Sequence, residues 1–310
     1  MRSPRARVGV LVLAMAFVVA ACGGGSSKST SSTKPPTKGQ ITVASTNFPE
    51  NVILANVYGK ALQGVGYQVV FRTNLGTRQV IQPALISGQI DSYPAYAASE
   101  LEFLNNNAGQ ASGDVTATVQ HLRDLFAPKG VTVLNPAPAI DTNAFAVSKE
   151  TAQKFNLKTI SDLKAVSKQL VIAVPPECGT NKYCGVGLES VYGIPLSSFK
   201  EVKAIEVGPV ANAALARGDV QVAEVLSTDG ALQANGFVVL EDDKHLQNAD
   251  NVVPLIRTDK VNNEIRDLWN SVSAKLTTDE LVGMNKRLQI DRVDPDVIAS
   301  DWLKKEGFKI

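Results

Sequence analysis

Three cysteines hold the most legible chemistry of this 310-residue chain, and their surroundings separate their roles. Val19-Ala20-Ala21-Cys22 follows a basic start (Arg2, Arg5 and Arg7) and an unbroken apolar run from Val8 to Ala21. That order is an export signal. The tetrapeptide matches the bacterial lipobox, in which a lipid is attached to the cysteine sulfur and a peptidase cuts before it; an ordinary cleavage site beside a stray thiol is the alternative. The apolar run of about 14 residues is short of the ~20 that a membrane-spanning helix requires, so it reads as a processed leader. Cys178 and Cys184 bracket Gly-Thr-Asn-Lys-Tyr, and such a pair in an exported chain reads as a disulfide closing a loop. A zinc site would need further His or Cys nearby, and the histidines are His121 and His245, so neither metal nor cofactor is expected.

Other polar clusters read as structure. Acyl transfer is signalled by Gly-x-Ser-x-Gly or by a free Cys with a partner His, and neither pattern occurs, which disfavours a lipid-anchored hydrolase. Asp242-Asp243-Lys244 reads as a solvated turn, and Asp291, Asp294 and Asp296 lack the glycine and terminal glutamate of a calcium loop. His121 reads as a surface or boundary residue, and Trp269 and Trp302 as core anchors. With 31 basic against 30 acidic residues, nothing draws the chain to nucleic acid. A chain of this length accommodates two compact domains.

The elements that must position these residues follow an α/β rhythm. Residues 1–21 read as the leader, and the Gly/Ser/Thr/Lys/Pro stretch over 22–39 as a flexible tether. From Gln40 onward, short β-branched runs alternate with helical spacing, the pattern of largely parallel sheets. Strands are expected at Ile41–Ala44 and Tyr67–Thr73, with helices from Pro49 to Gly64 and from Arg78 to Ser87. Gln89-Ile90-Asp91-Ser92-Tyr93-Pro94-Ala95-Tyr96 begins as a strand that Pro94 is expected to end, leaving Tyr96 at a carboxyl edge where open α/β sheets bind ligands. Helices at 116–127 and 149–155 bracket strands at 131–133 and 144–147. Ser161-Asp162-Leu163 reads as a helix cap opening a second lobe, whose strands are expected at 170–174, 200–205 and 220–225 and its helices at 187–192 and 209–216. Residues 252–256 cross back, and helices over 265–276 and 278–288 are expected to pack on the first lobe.

Five ordered blocks carry a family resemblance: Ser45-Thr46-Asn47-Phe48-Pro49-Glu50, Asn74-Leu75-Gly76-Thr77-Arg78, Gly88 to Tyr96, Ser227-Thr228-Asp229-Gly230, and Leu240-Glu241-Asp242-Asp243-Lys244. The chain resembles the osmoprotectant-binding proteins of ABC importers for glycine betaine, choline and carnitine. The resemblance implies a two-lobe periplasmic-binding-protein fold of type II kind. Lobe I would comprise 40–143 plus 252–310 and lobe II 144–251, joined by two crossover strands and closing on a small solute. It further implies an ABC permease with its ATPase as partner, a monomeric receptor, and attachment through Cys22 to the outer face of the cell membrane. A sensing or assembly lipoprotein of the same fold is the alternative.

Members of that family hold a quaternary ammonium among aromatic rings, which attract a cation that has no N–H to donate, and grip its carboxylate with basic groups. Here Tyr96 stands at a ring position and Ser99 at the hydroxyl position. The basic and remaining ring positions fall on Thr46, Asn143, Asn181, Leu226 and Asp250. Asn47 and Thr228 join this set, and Phe48, Tyr93 or Tyr183 supply rings from other directions. A site of that composition is expected to suit a neutral, hydroxyl-rich or aromatic solute in place of glycine betaine.

Overall fold

The computed structural model describes residues 38–310. The leader and lipobox, with Cys22 and the tether up to residue 37, lie outside the described residues. The first sheet takes up β1 (Gln40–Ala44), β2 (Gln68–Arg72), β3 (Ser92–Tyr96) and β4 (Val131–Val133). Between them run α1 (Pro49–Gly64), α2 (Arg78–Ile86), α3 (Ala97–Leu104) and α4 (Val115–Phe126). The second sheet takes up β5 (Asn143–Val147), β6 (Val171–Val174), β7 (Glu201–Ala204), β8 (Val222–Leu226) and β9 (Val238–Val239), with α5 (Lys149–Phe155), α6 (Leu163–Val166), α7 (Gly185–Tyr192), α8 (Pro209–Arg217) and α9 (Gly230–Asn235). The chain then returns through β10 (Val252–Arg257) to α10 (Asn263–Lys275), α11 (Thr278–Gln289) and α12 (Pro295–Lys305).

Strand order is β2-β1-β3-β10-β4 in one sheet and β7-β6-β8-β5-β9 in the other. Each is mixed: β1, β2 and β3 run parallel, while β10 lies antiparallel to β3 and β4. In the second sheet β6 is parallel to β7 and β8, and β5 is antiparallel to β8. Two segments pass between the sheets, and they pair with each other through an antiparallel bridge between Ile140 and Asn251. The Val252 N–H donates to the Ala139 carbonyl at 3.0 Å and the Asp141 N–H to that of Asp250 at 3.2 Å. A two-strand ribbon thus forms the connection.

Each sheet covers its own apolar core. In the first, Trp269 packs edge-on against Tyr58 with centroids 5.5 Å apart and donates its indole N–H to the Tyr58 carbonyl. The tryptophans are anchors as expected, with Trp302 buried beside Leu303. His121 is exposed on α4. In the second, Phe145, Ile172 and Leu188 pack around the joined Cys178 and Cys184, whose Cα atoms lie 5.1 Å apart.

Four expectations are corrected. Pro94 does not end β3 but sits within it, directly opposite Pro254 of β10. Its carbonyl accepts from the Asn51 amide and that of Pro254 from the Leu134 N–H, so this pair exchanges no ladder bonds and the missing N–H groups leave no gap. Ser161 is not the cap before α6: Thr159 and Asp162 form a reciprocal capping box, while the Ser161 hydroxyl donates to Asp243. Helix α3 starts directly after β3, where no helix was expected. Finally, α11 does not pack on the first lobe alone but lies against α9 of the second sheet, where a β-carbon on Gly230 would meet the Lys286 nitrogen at 2.4 Å.

Candidate functional site

The two sheets face each other across a cavity of about 810 Å³. From the first sheet it is lined by the loop after β1, which carries Thr46, Asn47 and Phe48, and by Tyr93, Tyr96 and Ser99. The second sheet contributes Asn143 from β5 and Leu226 from β8, opposite each other in register and therefore on one face. Asp141 and Asp250 line it from the connecting ribbon. Nine of the eleven residues singled out in the sequence therefore line one space.

The other two do not. Thr228 is buried at 1 % exposure and its hydroxyl donates to Asp141 at 2.9 Å, so it braces the ribbon and does not line the cavity. Asn181 lines a separate, smaller cavity of about 170 Å³ that shares Asn143 with the large one. Its side-chain oxygen accepts the Tyr183 N–H at 2.8 Å, a local turn that fixes the loop.

Hydrogen bonding narrows what the lining can offer. The Tyr96 hydroxyl donates to Glu50 at 2.7 Å, which leaves the ring as the surface it offers, set edge-on to Phe48 at 6.2 Å. The Tyr93 hydroxyl donates to Glu100, which also receives Arg78 at 2.9 Å and the Gln82 amide. Ser99 does not present a free donor: its hydroxyl and its backbone N–H both go to Asp250. That carboxylate caps the start of α3 from far along the chain, the favourable place for an anion at the positive end of a helix.

The electrostatic balance is acidic. Glu100, Glu102, Asp141 and Asp250 line the cavity against Arg78 and Lys182. Arg78 is held by buried Glu100, and the Lys182 ammonium lies 4.7 Å from the centroid of the Tyr183 ring. Burial pushes the Asp141 carboxyl up to about 8, helped by the neighbouring Glu50 and opposed by the Thr228 hydrogen bond. Burial raises Glu50 and Asp250 as well. At neutral pH Asp141 is therefore mostly protonated and can donate a hydrogen bond.

Sequence reasoning missed Arg78, Glu100, Asp141, Phe103 and Lys182, all of them in the lining. An arginine and a glutamate 22 positions apart carry no sign of pairing until β3 and α3 bring them together. Among the described residues the only grouping of metal-ligand types is Cys178, Cys184 and Glu224, and its two sulfurs are joined to each other.

Two α/β sheets joined by a ribbon, with a polar cleft between them, are the architecture of the two-lobe solute-binding proteins. The family model described as the substrate binding domain of ABC-type glycine betaine transport system matches residues 39–305. The chain belongs to that family, and it is a solute-binding component of an ABC importer, not an enzyme. It is 24% identical over 278 residues to the glycine betaine-binding protein YehZ of Escherichia coli K12, covering 86% of this chain and 91% of that one. It is 24% identical over 309 residues to the carnitine transport binding protein OpuCC of Listeria monocytogenes, covering 96% and 95%. The crystal structure of a glycine betaine/carnitine/choline ABC transporter protein superimposes with a TM-score of 0.81 at 25% identity, covering 88% of this chain and 99% of that one. Lactococcal OpuAC, closed on glycine betaine, shares the fold at a TM-score of 0.51 and 17% identity, covering 86% of this chain and 96% of that one.

Proposed function

We propose that the chain is a monomeric receptor, tethered through a lipid on Cys22 to the outer face of the membrane, that captures a polar, hydroxyl-rich or aromatic solute lacking a carboxylate. Relatives bear names for glycine betaine and carnitine binding, and both ligands carry a carboxylate. One observation argues against a carboxylate ligand here. The basic partner that a ligand carboxylate would seek, half-buried Arg78, is already paired with Glu100 at 2.9 Å, while Asp250 stands in the same lining. A carboxylate entering there exchanges its water for one exposed ammonium, that of Lys182 beside the Tyr183 ring, which is a weak return. Rings of Phe48, Tyr96 and Tyr183 instead offer faces for stacking, and Thr46, Asn47 and Asn143 offer hydrogen bonds. The two sheets would close on the solute about the Ile140–Asn251 ribbon, and the closed surface would be read by the permease and its ATPase.

Titration calorimetry of the domain with glycine betaine tests this reading. Heats corresponding to a dissociation constant above about 100 μM, or none, are expected. Sub-micromolar binding would overturn it.

A further inference from the structure

The smaller cavity beside the cleft is built from three glutamates. Its 170 Å³ is lined by Glu177 after β6, Glu206 after β7 and Glu224 within β8, together with Asn143 and Asn181. Parallel strands β6 and β7 thus deliver two of the three carboxyls at their carboxyl ends, and β8 the third. Glu177 and Glu206 are exposed, whereas Glu224 is buried at 3 % exposure in the middle strand of its sheet.

Among the described residues Glu224 has no N–H or O–H donor. Its closest polar neighbour is the Cys184 sulfur at 2.9 Å, which is joined to Cys178 and carries no proton to give. No N–H or O–H among the described residues donates to this carboxyl, and no basic side chain lines the cavity. A buried carboxyl without a protein donor is costly unless water or a ligand in the cavity it lines donates to it. Burial, with the nearby Glu177, pushes Glu224 up to about 7, the direction expected of an acid awaiting a counter-charge.

We propose that this annex receives a cationic, N–H-bearing end of the solute, a protonated amine in chemical class, while the remainder lies in the main cleft. The inference rests on the cleft reading above and deepens it. Asn143, which lines both cavities, marks the passage between them. A trimethylated ammonium fits poorly here, since it brings charge but no proton for Glu224. A hydroxyl brings a proton but no charge for the three carboxyls together. An amine brings both, and hydrogen bonds between ionised partners are the strong ones.

The test uses four probes that differ only at one end: tyramine, tyrosol, N,N,N-trimethyltyramine and 4-hydroxyphenylacetate. Calorimetry should show tyramine binding at least about tenfold more tightly than the other three, a difference that one charge-assisted hydrogen bond supplies. In Glu224→Gln that advantage should shrink to about threefold or less, with the melting temperature of the free protein unchanged or raised because a buried acid has been removed. Tyramine binding no more tightly than tyrosol, or an advantage that survives Glu224→Gln, would overturn the inference while leaving the cleft reading intact. Binding of none of the four would also overturn it, and the cleft reading would then stand or fall on the glycine betaine titration alone.

Discussion

Asp141 is a residue whose environment departs far from what its position in the chain announces. An aspartate in an unfolded chain loses its proton near its ordinary value of 3.8, whereas here it keeps it to about 8. Between those values the folded state binds more protons than the unfolded one, so stability falls as pH rises through that window. Asp141→Asn keeps an acceptor for the Thr228 hydroxyl and removes the titration. Its melting temperature should exceed that of the parent by several degrees at pH 8, and the gap should close near pH 4. Thermal melts across that range decide it; equal melting curves at both ends would refute the assignment. Residues clustered in short blocks were legible in the sequence, as with Thr46-Asn47-Phe48 and Tyr93 to Tyr96. Asp141 and Glu224 were not, because their character comes from burial by distant segments. A lone acid within Val222-Ala223-Glu224-Val225-Leu226 was nonetheless a visible anomaly, since a central strand seldom carries a carboxylate without a purpose.

At the scale of elements, local signals worked wherever the cap or breaker lay nearby. Helix α1 begins at Pro49, a proline suited to the first turn, and ends at Gly64 as its spacing implied. Helix α3 had no such sign, because its capping carboxylate comes from Asp250, 151 residues later. The packing of α11 was equally hidden, since its amphipathic pattern says that one face is buried and not against what. Gly230 is where that packing is tightest. Gly230→Ala would drive a methyl group into the backbone of Lys286 at 2.4 Å and of Asn285 at 2.7 Å, which can yield only by moving a helix. Overpacking of this kind costs about 1–3 kcal/mol, so the melting temperature should drop by several degrees. An unchanged melt would show that α9 and α11 are not in close contact in solution.

At the scale of the whole molecule, the division into two sheets was legible because βα alternation and the return of the chain at Val252 fix which segments share a sheet. The nature of the solute was less so. Asn143 and Asn181 suggested an uncharged site, while the acidic balance depends on carboxyls that three separate segments bring to one cleft. The network of Glu50, Asn285 and Thr228 ties the helices of one half to the ribbon and to the other half, with the Asn285 amide donating to both Glu50 and the Thr228 carbonyl. In the closure proposed above, this network would be the pivot and the cleft the side that moves. On that reading, solute touches both walls only when they approach and would stabilise the closed arrangement selectively. Small-angle X-ray scattering from the domain, with and without a saturating solute found by thermal-shift screening, measures this directly. The account predicts a smaller radius of gyration on binding; an identical radius, with binding shown independently to be saturated, would contradict it.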